Sequence, residues 1–171
     1  MKINLLFLFL LFFSATLAAQ ENCGLEEPPA LFGLRLRMSP EEVQSVFGKD
    51  LKINVKNDGE RIIFENFIEK KPPRSLSGVR ALYLRFIDRR LYQIEIFYEE
   101  TGAIKTLQDF TGLMSARLNF PVSSWQEEKG KAIVNCGAYT LAAVKTLNPR
   151  IELTDETARA KAEAIREKKS K

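Results

Sequence analysis

Histidine is absent from this chain of 171 residues. Its absence excludes Ser-His-Asp and Cys-His nucleophilic sites, histidine-based zinc sites and the most common general base of enzymes. Glycine-rich phosphate loops and the G-x-S-x-G nucleophile motif are also missing. We therefore predict no catalytic residue, no metal site and no cofactor, and we expect a protein that is not an enzyme.

Carboxylates occur in adjacent pairs, but neighbouring residues point to different sides of a helix or strand. The pairs are Glu41/Glu42, Glu99/Glu100 and Glu127/Glu128. None of them makes an acid–base pair by itself. Two carboxylates brought together from distant positions would still form a hydrolytic site. An enzyme with a carboxylate site therefore remains an alternative.

Cysteine occurs only at Cys23 and Cys136. An even pair in an exported chain predicts a disulfide, which here would tie the N-terminal part of the mature chain to a late strand. The alternative is two free thiols, one of them a nucleophile. That alternative is the weaker one, because no histidine is present to act as its base.

The chain has one long apolar run, residues 5–13, which follows a lysine and precedes small residues. These are the three parts of a secretory signal peptide. The run is short for a membrane span of about 20 residues. We expect cleavage after Ala18 or Ala19, removal of residues 1–19, and a secreted or periplasmic protein.

Charge of one sign does not dominate, since 26 basic and 22 acidic residues give a formal charge of +4. The two signs are mixed along the chain, so we expect no nucleic-acid partner. Residues 155–171 are predicted to form a charged helix with a weak apolar stripe at Ala158, Ala162 and Ile165. Its basic end, residues 168–171, is expected in solvent. The alternative is contact with an anionic membrane surface, worth about 1 kcal/mol per basic residue.

The clearest helix signal begins at Ser39. Ser39 is suited to the N-cap, Pro40 to the first helical position, and Glu42 completes a capping box, while Gly48 is suited to the end. A second helix is predicted over residues 103–118 from its apolar stripe.

Two strand pairs are predicted from alternation. Residues 51–55 and the Asp-Gly turn at 58–59 predict a hairpin that buries Ile62 and Phe64. Residues 79–99 predict a second hairpin, with a three-residue loop at 88–90 that pairs Phe86 with Tyr92 and Leu84 with Ile94.

The second hairpin has another face, which mixes aromatic and charged side chains. The candidate binding residues on it are Tyr83, Arg85, Gln93, Glu95 and Phe97. Left uncovered, such a face is suited to binding another protein. The alternative is that a helix or the termini cover it, or that its aromatics are ordinary surface residues.

Further strands are predicted at residues 132–144, as one kinked strand or two, and at 150–153. The order is helix, strands, helix, strands, terminal helix. We predict the α+β class, with a single domain over residues 20–154. Two degenerate helix-plus-meander units, residues 31–99 and 103–154, would share one antiparallel sheet with their helices on one face, followed by the C-terminal helix.

Residues 33–48 resemble the motif G-x-x-x-G-M-[ST]-x-x-E-V-x-x-x-[LF]-G of the BamE (SmpA/OmlA) outer-membrane assembly lipoproteins and the related β-lactamase-inhibitor-like superfamily. The matching residues are Gly33, Met38, Ser39, Glu42, Val43, Phe47 and Gly48. Arg37 replaces the second glycine. The resemblance implies helices on an antiparallel sheet, an envelope location and work through protein–protein contact.

The chain departs from that family in two ways. Cys23 is not preceded by a lipobox, and the predicted doubled unit is closer to the two-copy inhibitor architecture. No partner-binding residue is carried over. We expect an exported protein-binding domain; the alternatives are an envelope structural or assembly factor that contacts the membrane, and the carboxylate enzyme.

Overall fold

The computed structural model describes residues 23, 27–48, 53, 60–67, 74–99 and 102–170. These form three helices and one seven-stranded antiparallel sheet, which confirms the α+β class with a C-terminal helix. The helices are α1 (Pro40–Phe47), α2 (Leu107–Leu118) and α3 (Glu156–Lys169). The strands are β1 (Arg61–Asn66), β2 (Val79–Ile87), β3 (Arg90–Tyr98), β4 (Gln126–Glu128), β5 (Lys131–Asn135), β6 (Tyr139–Val144) and β7 (Arg150–Asp155).

The sheet has the strand order β1-β2-β3-β7-β6-β5-β4. Each half of the chain contributes a helix followed by an antiparallel meander, α1 with β1–β3 and α2 with β4–β7. The last strand of each half, β3 and β7, meets the other at the centre of the sheet. The two halves therefore share one continuous ladder.

The main core lies between one face of the sheet and the helices α1 and α2. Val43 and Phe47 of α1 and Phe110 and Met114 of α2 are buried in one cluster with inward-facing strand residues such as Leu84. Helix α3 belongs to a separate cluster, in which Ala162 packs with Ile87 and Tyr92. Because side chains alternate along a strand, α3 covers one end of the opposite sheet face.

The start of α1 follows the prediction. The Glu42 backbone N–H donates to Ser39 Oγ at 3.2 Å, and the Ser39 N–H donates to Glu42 Oε2 at 2.6 Å. Gly48 follows the helix with a positive φ of 59°. Arg37, at the second glycine position of the motif, has a φ of 70°. That left-handed conformation favours glycine, so Arg37 adopts a backbone conformation that is unusual for a residue with a side chain.

Helix α2 begins later than predicted. Thr106 is its N-cap, and Asp109 closes a capping box with it at 2.9 and 3.0 Å. Ile104 is buried ahead of the helix rather than within it. The apolar stripe extends to the N-terminal side of the N-cap. A prediction from the stripe alone therefore starts the helix too early.

The loop between β2 and β3 differs from the predicted three-residue connection. Asp88 and Arg89 form a two-residue turn with φ of 46° and 59°, and Phe86 pairs with Leu91. A bulge beside Tyr92 absorbs the extra residue. The inner pairing of Leu84 with Ile94 is confirmed, and with it the face on which each inner residue lies.

Strand β1 is turned over relative to the prediction. Ile62 and Phe64 are 53% and 48% exposed, whereas Ile63 packs against the core. The reason is the pairing with β2, which sets Phe64 opposite Tyr83 on the uncovered face. The predicted partner strand at 51–55 and its turn at 58–59 lie outside the described residues, apart from Ile53.

The late strands and the cysteines follow the predictions. Residues 132–144 divide into β5 and β6, with Gly137 between them at a φ of 72°. Cys23 and Cys136 lie at disulfide-bonding distance, with Cα atoms 5.3 Å apart. Strand β4, a short polar edge strand, was not predicted because it has no apolar alternation. No helix within the described ranges is long and apolar enough to cross a membrane. The predicted signal peptide, residues 1–19, lies outside those ranges.

Candidate functional site

The sheet face opposite α1 and α2, called here the open face, carries side chains in three cross-strand rows. The middle row crosses six strands, from β1 to β5: Phe64, Tyr83, Glu95, Glu152, Ala142 and Ile133. The row on the α3 side contains Ile62, Arg85, Gln93, Thr154 and Thr140. The third row contains Asn66, Ala81, Phe97, Arg150 and Val144.

All five candidate binding residues from the sequence lie on the open face. Tyr83, Arg85, Glu95 and Phe97 are partly exposed there, and Gln93 is buried. Gln93 is held in place because its Nε2 donates to Glu152 Oε1. The β2–β3 register, set by the inward-facing apolar residues, is what brings these side chains together.

An aromatic cluster, consisting of Phe64, Tyr83 and Phe97, occupies one side of the open face. The ring centroids of Phe64 and Tyr83 are 4.2 Å apart, and those of Tyr83 and Phe97 are 5.5 Å apart. The guanidinium carbon of Arg150 lies 5.7 Å from the centre of the Phe97 ring, a cation–π contact. The cluster therefore joins a cation to three contiguous aromatic rings.

A shallow hollow of about 140 Å³ lies beside the aromatic cluster. All three rings line it, together with Ala81, Arg80 and Asn148 among others. Arg80 is held by its own bond, since its Nη1 donates to Asn148 Oδ1 at 2.6 Å. The lining of the hollow is mainly apolar, and its polar members are Asn66, Arg80 and Asn148.

Charged side chains fill the centre of the open face. Glu152 accepts a second hydrogen bond from Thr154 Oγ1 at 3.3 Å. Glu95, its cross-strand neighbour, has a raised pKa, because burial disfavours its charged form and the Glu152 charge adds to the effect. Arg150 and Arg85 offset part of that rise. The Nε–H groups of both arginines are buried without a hydrogen-bond partner in the described part of the chain.

Helix α3 borders the open face. A second hollow, of about 120 Å³, lies between the sheet and the start of α3. Arg150 and Glu152 line it from the sheet, and Glu156 and Arg159 from the helix. The open face therefore has a charged centre between two hollows, one aromatic and one polar.

Other residues of this face, among them Ile62, Phe64, Arg150 and Glu152, were not predicted from the sequence. The first two were placed on the buried side, because β1 has apolar residues at three successive positions and alternation alone does not orient it. Arg150 and Glu152 join through the pairing of β3 with β7, two strands more than 50 residues apart in sequence. No local pattern signals that pairing.

Glu95 and Glu152 are the carboxylates that the fold brings together on this face. Among the residues that the structure describes, no three His, Cys, Asp or Glu side chains are grouped so that they could hold a metal ion. Comparison of the chain with family models, curated proteins and solved structures finds no match. The likeness of residues 33–48 to the BamE motif therefore stays a prediction.

Proposed function

We propose that this chain is an exported, non-enzymatic domain that binds another protein through its open face. The observation that carries the proposal is the aromatic cluster. Phe64 is half exposed at its edge, and Ile62 is exposed beside it on the same strand. Contiguous apolar groups exposed on a soluble surface are typical of interaction sites.

The composition of the face supports the same proposal. Aromatic residues and arginine are the side chains that contribute most to binding at protein interfaces. Tyr83, Phe97 and Arg150 stand on β2, β3 and β7, interior strands of the sheet whose other face is packed into the core. A rigid support of this kind lowers the entropy lost on binding, because the contact residues are ordered beforehand.

Export rests on the predicted signal peptide and on the cysteine pair. A disulfide persists in oxidising compartments such as the periplasm and the extracellular space. The alternative is an envelope structural or assembly factor that contacts the membrane through its sheet face or its basic tail. Three cations of α3 are paired within the fold: Arg159 with Glu156, Lys161 with Asp88 and Arg166 with Glu60. This leaves Lys168 and Lys169 as the charges of the described tail, which favours the protein partner over the membrane.

The carboxylate enzyme is the second alternative, and the Glu95–Glu152 pair is the observation in its favour. Glu95 has a raised pKa, as a general acid needs. The pair lies on an open sheet surface, however, and the hollow beside Glu152 does not include Glu95. In the part of the chain that the structure describes, the two carboxylates do not share a hollow, which favours binding over hydrolysis. A Glu95→Gln variant that abolished an observed hydrolytic activity would reverse this preference.

The test is affinity capture from an extract of the cells that produce the protein. The chain is compared with a Tyr83→Ala/Phe97→Ala variant and with a Val122→Ser control, all with intact folds. Val122 is 51% exposed and lies beside β4, at the sheet edge opposite β1. We expect one partner that the double variant loses and the control keeps. Equal capture by all three would reject the open face.

A further inference from the structure

Two arginines of the open face have hydrogen-bonding capacity that the fold does not use. The Nε–H of Arg85 on β2 and that of Arg150 on β7 are buried and lack an acceptor among the described residues. Other arginines bind carboxylates within the fold, as Arg37 does with Asp155 at 3.1 Å. A buried donor without an acceptor costs the fold a hydrogen bond, so its retention requires an explanation. Binding of an anionic group to these arginines provides one.

The contact with Phe97 orients Arg150 for such a group. The guanidinium carbon lies 5.7 Å from the centre of the ring, a cation–π contact that restricts where the guanidinium can lie. A guanidinium binds a carboxylate through two parallel hydrogen bonds. The arginine is therefore held in place before any partner arrives.

No carboxylate of the face accepts a hydrogen bond from these two Nε–H groups in the described part of the chain. Glu152 is engaged by Gln93 and Thr154. Glu95 is partly buried, and Arg150 and Arg85 offset part of the rise in its pKa that burial and Glu152 cause. The two unused donors belong to cations, so an anionic acceptor complements them.

The hollow beside the aromatic cluster adds an apolar requirement. Its volume of about 140 Å³ is close to that of the engineered cavity, roughly 150 Å³, that holds a benzene molecule. An aromatic or leucine side chain is of the right size. The Phe97 ring lines the hollow and also contacts Arg150. An apolar group and an anionic group of a partner would therefore bind side by side.

We propose that the open face binds an acidic segment of a partner protein. Asp or Glu carboxylates of that segment are bound by Arg150 and by Arg85, and an apolar side chain next to the one at Arg150 fills the hollow beside the aromatic cluster. This inference rests on the proposed function and adds the chemistry of the partner to it.

The probe is a random library of short peptides displayed on phage, selected on the oxidised protein. A Phe64→Thr/Tyr83→Thr variant removes peptides that bind elsewhere. We expect the enriched peptides to place Asp or Glu next to, or one residue away from, an aromatic residue or leucine. Enrichment of basic or uncharged peptides would overturn the inference, and so would the absence of enrichment.

Two point variants are expected to change the affinity for an enriched peptide in opposite directions. Arg150→Gln is expected to weaken an enriched peptide by about tenfold or more, since it removes a buried charge contact. Glu95→Gln is expected to tighten it by about threefold to tenfold, because a like charge is removed from beside the peptide carboxylate. Lys105→Gln, an exposed cation ahead of α2, is the matched control and should change nothing.

These outcomes separate this inference from the proposed function. Weaker binding by Glu95→Gln would overturn the acidic partner. If the same peptides still required Phe64 and Tyr83, the open face would remain the binding surface. The open face itself would be rejected if the peptides did not require Phe64 and Tyr83 and if the extract experiment showed equal capture by all three proteins.

Discussion

Phe64 and Tyr83 are directly opposed cross-strand neighbours whose ring centroids lie 4.2 Å apart, with the rings tilted by 31°, on the face that α1 and α2 leave uncovered. This contact joins the edge strand β1 to the central hairpin on the open face. It also extends the exposed aromatic surface from the sheet edge to Phe97. Phe64 therefore lies on this face rather than in the core.

Replacing Phe64 should cost little stability. Phe64→Thr keeps a residue suited to a strand and removes a half-exposed ring, so we expect a loss below about 1 kcal/mol, mostly from the lost stacking. Leu84→Ala, at a fully buried position, should cost about 2–5 kcal/mol. Urea unfolding of both variants checks this. A loss for Phe64→Thr as large as that for Leu84→Ala would place the ring in the core.

The cysteine pair should stabilise the fold strongly. Cys23 and Cys136 are separated by 113 residues in sequence. Closing a loop of that length removes unfolded-state entropy worth at most about 5 kcal/mol in the chain-entropy treatment. Denaturant unfolding with and without a reductant measures the difference. A Cys23→Ser/Cys136→Ser variant should match the reduced protein, and an unchanged midpoint on reduction would contradict the disulfide.

Asp155 should matter more than the arginine bound to it. Its Oδ1 accepts from the Ala158 N–H at 3.0 Å as the N-cap of α3, and its Oδ2 accepts from Arg37 Nε at 3.1 Å. Asp155→Ala should therefore cost about 1–2 kcal/mol, the usual loss for an N-cap. Arg37→Gly should be nearly neutral. It loses an ion pair with a largely exposed arginine but relieves the positive φ at that position.

Thermal unfolding of the two variants checks this order. Asp155→Asn is the useful control, since asparagine keeps the capping oxygen and loses the charge. A greater loss for Arg37→Gly than for Asp155→Ala would mean that the ion pair outweighs the cap.

Tyr98 should make stability fall at alkaline pH. Burial raises the pKa of Tyr98 to about 12, against the offsetting effect of Arg117. Below pH 10 the hydroxyl is protonated in both states. Between about pH 10 and 12 only the unfolded state loses the proton, so this group should lower the stability by about 2–3 kcal/mol over that window.

Tyr98→Phe should flatten this part of the pH profile in denaturant unfolding. Tyr92, which is also buried and donates to Glu60 at 2.6 Å, has a raised pKa too. A residual fall in the variant is therefore expected from Tyr92, and Tyr92→Phe should reduce it. An identical profile for Tyr98→Phe and the parent would contradict the burial of the Tyr98 hydroxyl.

The sequence predicted the fold where local chemistry decides it. The capping box of Ser39 and Glu42 set the start of α1, and the alternation of Leu84 and Ile94 set the register of the central hairpin. The same register placed Tyr83 and Phe97 on one face. Local patterns do not distinguish a three-residue loop from a two-residue turn followed by a bulge at Tyr92. Both give the same pairing of Leu84 with Ile94.

The rest of the candidate site depends on contacts between distant parts of the chain. Phe64 was misplaced because β1 has three successive apolar residues, and only its partner strand decides which face each one takes. Arg150 and Glu152 reach the site through the pairing of β3 with β7, which no periodicity announces. Arg37 could be identified as an exception to the motif, but its positive φ could not be read from its side chain.

Site-specific photo-crosslinking in the cells that produce the protein tests directly whether the open face binds another protein. A benzophenone amino acid replaces Phe64 on the open face or Val122 at the far edge of the sheet. Binding at the open face predicts a discrete protein adduct from position 64, lost when Arg150→Gln is added, and none from position 122. An adduct from position 122 alone, or equal adducts from both positions, would contradict the assignment of the open face as the binding surface.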